Sequence, residues 1–285
     1  MTEKELLDKV YRSIKDTCKN KNILFKTGFD DLDEIINIPQ DTGAVITIAG
    51  RPAMGKSSMM LSIMENILSI GKKCLFLSLE FNSERIIQRL LSMGTEISSV
   101  KILSGNLTPD DLSKIEKQID VLMNWDLVID DTTGITTDEI EKKISKVKPD
   151  VVFIDYLQLI HSEKKQDRNF QIESILGDLK RISKENNILI FMSSQLSRGL
   201  ESRLDKRPLL SDLRDSSSIE TLSDVVIFIY RPEYYKKEVE DIYLKGESEI
   251  IIAKNHFGPC ATVIMCFKPQ FMKFYSGRST ISDLF

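Results

Sequence analysis

The chain has 285 residues, 41% of them apolar and 29% charged, with a formal net charge of −4. That apolar content supports a sizeable core, in one large α/β domain or two small ones, and excludes wholesale disorder. The acidic balance excludes a uniformly basic nucleic-acid-binding surface while leaving room for a local basic loop or channel.

Cys18, Cys74, Cys260 and Cys266 form no C-x-x-C pair, His161 and His256 are the only histidines, and no stretch approaches 18 consecutive apolar residues. A disulfide framework, a histidine-based zinc site and a membrane span are therefore not expected, and the chain reads as a cytoplasmic protein of a reducing compartment.

Residues 2 to 19 place Leu6, Leu7, Val10 and Ile14 on one stripe among Lys, Asp and Glu, which predicts an amphipathic helix. Lys19-Asn20-Lys21-Asn22 separates it from the rest, so the stripe suits packing on its own domain and equally docking on a neighbouring subunit. The expected organisation is a helical extension over 1–22 and one domain over 23–285. Thr27-Gly28-Phe29-Asp30-Asp31-Leu32-Asp33 leads into a short helix and then into Ala44-Val45-Ile46-Thr47-Ile48-Ala49, an apolar, β-branched run that predicts a buried strand.

Gly50-Arg51-Pro52-Ala53-Met54-Gly55-Lys56-Ser57 fits G-x-x-x-x-G-K-[ST], and a helix signature follows from Ser58 to Ile70. Strand, glycine loop and helix form the context that a phosphate-binding loop requires. Glycines let backbone N–H groups curl around phosphate oxygens, and the new helix adds its positive end. The expected nucleotide-binding residues are Gly50, Arg51, Pro52, Ala53, Met54, Gly55, Lys56, Ser57 and Ser58. Lys56 is expected to reach the β- and γ-phosphates, and Ser57 to offer its hydroxyl to Mg²⁺. The ligand expected is a nucleoside triphosphate.

Further along, Lys73 to Leu79 predicts a strand ending on Glu80, and Asn82 and Ser83 are cap candidates for a helix over 84–93. Thr108-Pro109-Asp110-Asp111 opens another helix, with Thr as cap and Pro in the first turn. Leu127-Val128-Ile129-Asp130 is a strand, and Thr136 with Glu139 is a capping box opening a helix to Val147. Val151-Val152-Phe153-Ile154-Asp155 is the next buried strand. The polar loop 161–169 carries Lys164, Lys165 and Arg168, and a helix follows over 170–186. The strand 188–192 delivers Ser193, Ser194 and Gln195; the long loop 196–218 carries Arg198, Arg203, Lys206, Arg207 and Arg214. Val225 to Ile229 is a strand, 231–247 is charged and irregular, and Ile250 to Ala253, a turn at Phe257-Gly258-Pro259, and Ala261 to Phe267 read as a hairpin. Alternation of strands and helices predicts a mostly parallel sheet covered on both faces, with an antiparallel edge from the hairpin.

Ligands of such sheets bind at the carboxyl ends of the strands, where Lys56 and Ser57, Glu80, Asp155 and Gln195 arrive. Asp155 has the form of an acid that holds Mg²⁺, although a strand-end Asp capping a turn looks the same alone. Glu80 suits a general base orienting water and equally a solvated strand end. Gln195 suits a γ-phosphate sensor, and an ordinary loop amide has the same appearance. The two basic loops start from strands at the nucleotide end and are placed to grip a phosphate backbone without sequence preference.

The chain resembles the C-terminal motor domain of DnaB-type replicative helicases, a RecA-like ATPase. The runs that carry the resemblance are Thr27-Gly28-Phe29-x-x-Leu32-Asp33, the phosphate loop, Leu77-Ser78-Leu79-Glu80 and Ile154-Asp155-Tyr156-Leu157-Gln158. They continue with Ser194-Gln195-Leu196-Ser197-Arg198-x-Leu200-Glu201, Lys206-Arg207-Pro208-x-Leu210-Ser211-Asp212-Leu213-Arg214 and Lys254-x-x-x-Gly258-Pro259.

The resemblance implies an ATP-driven, 5′–3′ helicase of DNA replication that works as a ring, usually a hexamer. ATP sites would lie between subunits, single-stranded DNA in the channel, and a loader or primase would be further partners. It implies that Glu80 is the catalytic base, Asp155 the Mg²⁺ acid and Gln195 the sensor. It implies that Lys164, Lys165, Arg168, Arg207, Arg214, Asp215 and Ser217 face DNA, that Lys254 and His256 serve a neighbour's ATP site, and that residues 1–22 are the linker helix, which packs on the next subunit.

There are departures from the pattern. The family's larger N-terminal domain, which contacts primase, has no counterpart in these residues. The family's Lys-x-Arg-x-Gly-Pro reads Lys254-Asn255-His256-Phe257-Gly258-Pro259, which puts His256 where the neighbour's arginine finger is expected. An arginine is always charged and forks onto phosphate, whereas an ordinary imidazole is mostly uncharged near neutral pH. A glycine of the channel loop is replaced within Arg214-Asp215-Ser216-Ser217. A weakly hydrolysing accessory DNA-binding ring, and a RecA- or RadA-like recombination ATPase, are the competing readings.

Overall fold

The structure, a computed structural model, describes residues 2–19, 24–40, 42–162, 167–213, 217–235 and 246–277. Helix α1 (Glu3–Lys19) comes first, then α2 (Asp30–Ile36), β1 (Ala44–Gly50), α3 (Lys56–Ser69), β2 (Cys74–Ser78), α4 (Ser83–Thr95), α5 (Ser99–Ser104), α6 (Pro109–Met123) and β3 (Leu127–Asp130). The chain continues with α7 (Thr137–Val147), β4 (Val151–Asp155), α8 (Arg168–Asn186), β5 (Leu189–Gln195), α9 (Ser217–Leu222), β6 (Val225–Tyr230), α10 (Pro232–Tyr235), β7 (Glu247–Asn255), β8 (Ala261–Lys268) and β9 (Lys273–Ser276).

Among the described residues, the nine strands join one sheet in the order β3-β2-β4-β5-β1-β6-β7-β8-β9. Pairings from β3 to β6 are parallel, and those from β6 to β9 are antiparallel. Helices cover both faces, so every residue of β1, β2 and β4 is buried and the strands read as continuous apolar runs.

Alternate side chains divide the core in two. Ile46, Ile48, Phe76, Phe153 and Phe191 meet α3 and α4 residues such as Met60, Met64 and Leu90 on one face. Val45, Leu75, Val152, Ile190 and Phe228 meet Ile140, Leu176 and Leu179 on the other. Register places Phe76 opposite Phe153 and Phe153 opposite Phe191, and their rings stack with centroids 6.1 and 5.3 Å apart.

Local signals appear where the sequence places them. Asn82 Oδ1 accepts from Arg85 N, and both Thr108–Asp111 and Thr136–Glu139 form reciprocal capping boxes. Asp33, buried in α2, accepts from Thr27 N at 2.6 Å, Thr27 Oγ1 at 2.7 Å and Gly28 N at 3.2 Å, which locks the entry turn.

Three expectations change. The stretch 231–247 is not irregular throughout, because 232–235 forms α10. The loop 196–218 is shorter than expected: Leu196 bridges Leu213, Ser197 N donates to Asp212 O at 2.7 Å, and Ser217 already belongs to α9. The terminal hairpin gains a third strand, β9, whose Phe274 packs on Phe267 with centroids 4.6 Å apart.

On α1, Leu6, Leu7, Val10, Tyr11 and Ile14 are all exposed, so its apolar stripe is not covered by its own domain. No helix among the described residues is long and apolar enough to cross a membrane.

Candidate nucleotide site

Strand order makes the site. The four neighbours β2, β4, β5 and β1 end side by side, with Ser78 level with Asp155 and Gly50 level with Gln195. The phosphate loop leaves β1, and Glu80 follows β2. A cleft of about 360 Å³ opens above these ends, lined among others by Ala53, Gly55, Lys56, Ser57, Ser58, Glu80, Arg89 and Gln195.

Gly55 adopts φ +100°, and a Cβ there would meet the Phe274 ring at 3.1 Å, so this turn needs glycine. Helix α3 begins at once with Lys56, aiming its first N–H groups at the cleft. Lys56 Nζ donates to the carbonyls of Gly50 at 3.1 Å and Arg51 at 3.3 Å. Burial pulls its pKa down, against the attraction of Asp155 and Glu80. A partly desolvated ammonium in a ring of N–H groups is a phosphate-binding arrangement.

Asp155 is buried, and its Oδ1 accepts from Ser193 Oγ at 2.5 Å. Its Oδ2 is buried with no hydrogen-bond partner among the described residues. A hard cation or its bound water satisfies such an oxygen, so Asp155 and Ser57 fit Mg²⁺. Glu80 is exposed at the cleft mouth, yet its pKa is raised, first by burial of the carboxyl and then by the Asp155 charge, with Lys56 and Arg89 opposing. A carboxylate tuned upward beside a phosphate loop is suited to accept a proton.

Lys254 and His256 lie elsewhere. Lys254 pairs with Val226 near the start of β6, and His256 N donates to Asp224 O. His256 is therefore level with Val45, at the opposite end of β1 from the phosphate loop, about 16 Å from Gly50 at roughly 3.3 Å per residue, and Lys254 is level with Thr47, about 10 Å from it. Lys254 Nζ caps α9 through the carbonyls of Glu220 (2.6 Å) and Thr221 (3.0 Å). His256 Nδ1 sits 3.3 Å from Asp224 Oδ1, with half of its side chain exposed.

Among the basic-loop residues, Arg168 opens α8, and its guanidinium donates to Gln158 O at 2.7 Å and Gln171 Oε1 at 3.0 Å. Arg207 pairs with Glu249 at 2.6 Å and is nearly half exposed. Ser217 is the first residue of α9. Lys164, Lys165, Arg214 and Asp215 lie outside the described residues.

Two arginines that sequence reasoning did not place at the cleft, Arg231 and Arg89, line it, while the expected Arg51 is engaged elsewhere. Arg51 Nε donates to Glu201 Oε1 at 2.8 Å and its Nη1 to Leu196 O at 3.0 Å, which joins the phosphate loop to the loop after β5. Arg231 Nη1 donates to Ala53 O at 3.2 Å, and its guanidinium lies 4.6 Å above the Phe267 ring. Arg89 is buried in the wall. Its position was detectable: it interrupts the apolar stripe Ile86, Leu90, Met93 of α4 with a charge.

Comparison with known proteins agrees with this geometry. The model of the family described as "DnaB-like helicase C terminal domain" matches residues 25–276. The replicative DNA helicase DnaC of Bacillus subtilis is 36% identical over 289 residues, covering 98% of this chain and 63% of that protein. The replicative DNA helicase DnaB of Pasteurella multocida is 38% identical over 257 residues, covering 87% of this chain and 54% of that one. The chain thus spans little more than half the length of these relatives.

Among solved structures, one described as an ATPase domain superposes with a TM-score of 0.89 at 33% identity, covering 97% of this chain and 99% of that domain. A DnaB-like replicative helicase, studied with its interactions with primase, gives 0.89 at 32% identity, covering 97% of this chain and 69% of that chain. On the family match and the shared fold, the chain belongs to the DnaB-like helicase C-terminal domain family.

Proposed function

We propose that this chain is the ATP-hydrolysing motor of a ring-shaped replicative DNA helicase, moving 5′–3′ on single-stranded DNA in the cytoplasm. The observation that carries the reading is that Lys56, Ser57, Glu80 and Gln195 line one cleft at adjacent strand ends, with Asp155 buried at the end of β4 among them. Backbone N–H groups of residues 53–58 and Lys56 hold the β- and γ-phosphates. Ser57 and Asp155 hold Mg²⁺, which neutralises phosphate charge when bound. Glu80 takes the proton of the attacking water, and Gln195 reports the γ-phosphate to the loop after β5.

His256 stands at the far end of β1 and Lys254 level with its middle, away from their own chain's cleft, so they serve the cleft of another copy. A head-to-tail contact of this kind closes into a ring, a hexamer by the family's usual pattern. The loops 161–169 and 196–213, with Lys164, Lys165, Arg168 and Arg207, and Arg214, Asp215 and Ser217 just beyond, line the channel. There a few cations repeated around one pore offset an acidic exterior. The exposed stripe of α1 supports a linker helix that docks on the next subunit. Loader and primase contacts belong to the whole protein, and the relatives' names support them.

The experiment is ATP turnover with and without single-stranded DNA on a sample of measured oligomeric state. Turnover that DNA stimulates in a ring supports the motor; a DNA-bound ring without turnover refutes it and supports the accessory reading. His256 favours that second reading, because it puts an imidazole where an arginine is expected. A gain in turnover for His256→Arg locates the deficit there, and no gain removes the argument.

A further inference from the structure

Strand β5 clasps the end of β4 through two consecutive buried serines. Ser193 Oγ donates to Asp155 Oδ1, and Ser194 Oγ accepts from Gln158 Nε2 at 2.9 Å. Gln158 sits in a short 3₁₀ turn, Leu157–Leu159, held to the core by buried Leu157 and Ile160. Its backbone carbonyl accepts from Arg168 Nη2 at 2.7 Å, so one residue holds β5 with its side chain and the first residue of α8 with its main chain. Gln158 Oε1 is buried without a hydrogen-bond partner among the described residues. An amide offers both donor and acceptor, and a hydroxyl takes either role. The Gln158–Ser194 bond therefore has two arrangements, related by rotation of the amide. A contact with two discrete arrangements is what energetic coupling between elements requires. Gln195, the next residue of β5, lines the nucleotide cleft, and Gln158 is not among the residues that line it.

We infer that Gln158 is a positioning residue that couples β5 to Arg168, and so makes DNA affinity at the start of α8 depend on the nucleotide in the cleft. This rests on the function proposed above. The loop after β5 is tied to the phosphate loop by Arg51 and Glu201. Gln158 gives the segment after β4 a connection of its own. A movement of Ser194 with its strand passes through the amide to the turn whose carbonyl anchors the Arg168 guanidinium.

The test is the affinity for a fluorescent single-stranded oligonucleotide, measured with a non-hydrolysable ATP analogue and with ADP on samples of measured oligomeric state. Wild type, Gln158→Leu, Gln158→Glu, Ser194→Ala and the Gln158→Leu/Ser194→Ala double variant are compared, with nucleotide affinity and thermal melts alongside. The readout is the ratio of DNA affinities in the two nucleotide states. Gln158→Leu keeps the carbonyl that anchors Arg168 and loses the amide. Its ratio is expected to move toward one by about two- to thirtyfold, with nucleotide affinity within about twofold of wild type. Ser194→Ala is expected to do the same, and the double variant no more than either, because both remove one contact. Gln158→Glu keeps an acceptor for the Ser194 hydroxyl and is expected to retain more of the ratio. An unchanged ratio in folded Gln158→Leu, or an equal loss of DNA affinity in both nucleotide states, overturns the inference while the nucleotide site stands. A wild-type chain that binds no nucleotide, or binds DNA equally in both states, overturns the motor reading as well. Should Gln158→Leu fail to fold, the ratio for Ser194→Ala decides by the same criteria.

Discussion

Arg51 Nε donates to Glu201 Oε1 at 2.8 Å, and this pair links the phosphate loop to the loop that leaves the sensor strand. Glu201 also accepts from Tyr235 Oη at 3.4 Å, and Lys206 Nζ reaches the Glu201 carbonyl at 2.6 Å. A shift of the phosphate loop therefore has a short route, through side chains, into the basic loop 198–207.

Glu201→Ala tests that route. The pair is partly exposed, so its loss is expected to cost only about 0–1 kcal/mol of stability. Basal ATP turnover is expected to stay within about twofold of wild type, and stimulation by single-stranded DNA to fall by a coupling of roughly 0.5–2 kcal/mol, about two- to thirtyfold. Turnover titrated with DNA, beside a thermal melt, gives the answer; undiminished stimulation breaks the link.

Glu80 carries the acid–base prediction. Its raised pKa means that it takes up a proton at higher pH than an ordinary glutamate, and only the deprotonated form acts as base. Turnover is therefore expected to fall, as pH drops, through a midpoint above the usual ~4.3. Glu80→Gln is expected to lower turnover by roughly 10²–10⁴ with nucleotide binding retained. A rate profile flat down to the ordinary glutamate range argues against the assignment.

Asp224 holds three groups at the far end of the sheet: Val45 N at 2.8 Å, the Lys180 ammonium and His256 Nδ1. Asp224→Ala leaves a buried strand N–H and a largely buried ammonium without a partner. The expected loss is about 2–4 kcal/mol in denaturant unfolding. Asp224→Asn, which keeps an acceptor for Val45, is expected to lose less. Equal stability for wild type and Asp224→Ala is the result that contradicts this.

Gly55→Ala puts a methyl group where φ is +100° and Phe274 is 3.1 Å away. Backbone strain of about 1–3 kcal/mol is expected, with a corresponding loss of nucleotide affinity. Calorimetric titration of ATP measures it, and unchanged affinity shows that the loop relaxes freely.

Most elements were legible because their causes are local. Apolar runs mark buried strands, Thr108–Asp111 and Thr136–Glu139 mark helix starts, and the phosphate loop carries its own glycine at the turn that needs it. Short elements escaped: α5, α9 and β9 hold four to six residues each, and β9 exists because Phe274 finds Phe267 and Ser62, the latter far away in sequence.

By itself the sequence determined the α/β alternation, the phosphate loop and the candidate residues at the strand ends, since strand period, capping and turn chemistry act over a few residues. Only the tertiary structure decided that β2, β4, β5 and β1 lie side by side, so that Glu80, Gln195 and Lys56 share one cleft with Asp155 buried at the strand end between them. It alone separated Lys254 and His256 from that cleft and brought Arg89 and Arg231 to it. Strand order is a choice among long-range pairings with similar local energies. It is settled by how the whole sheet buries both faces, which no single stretch of the chain encodes.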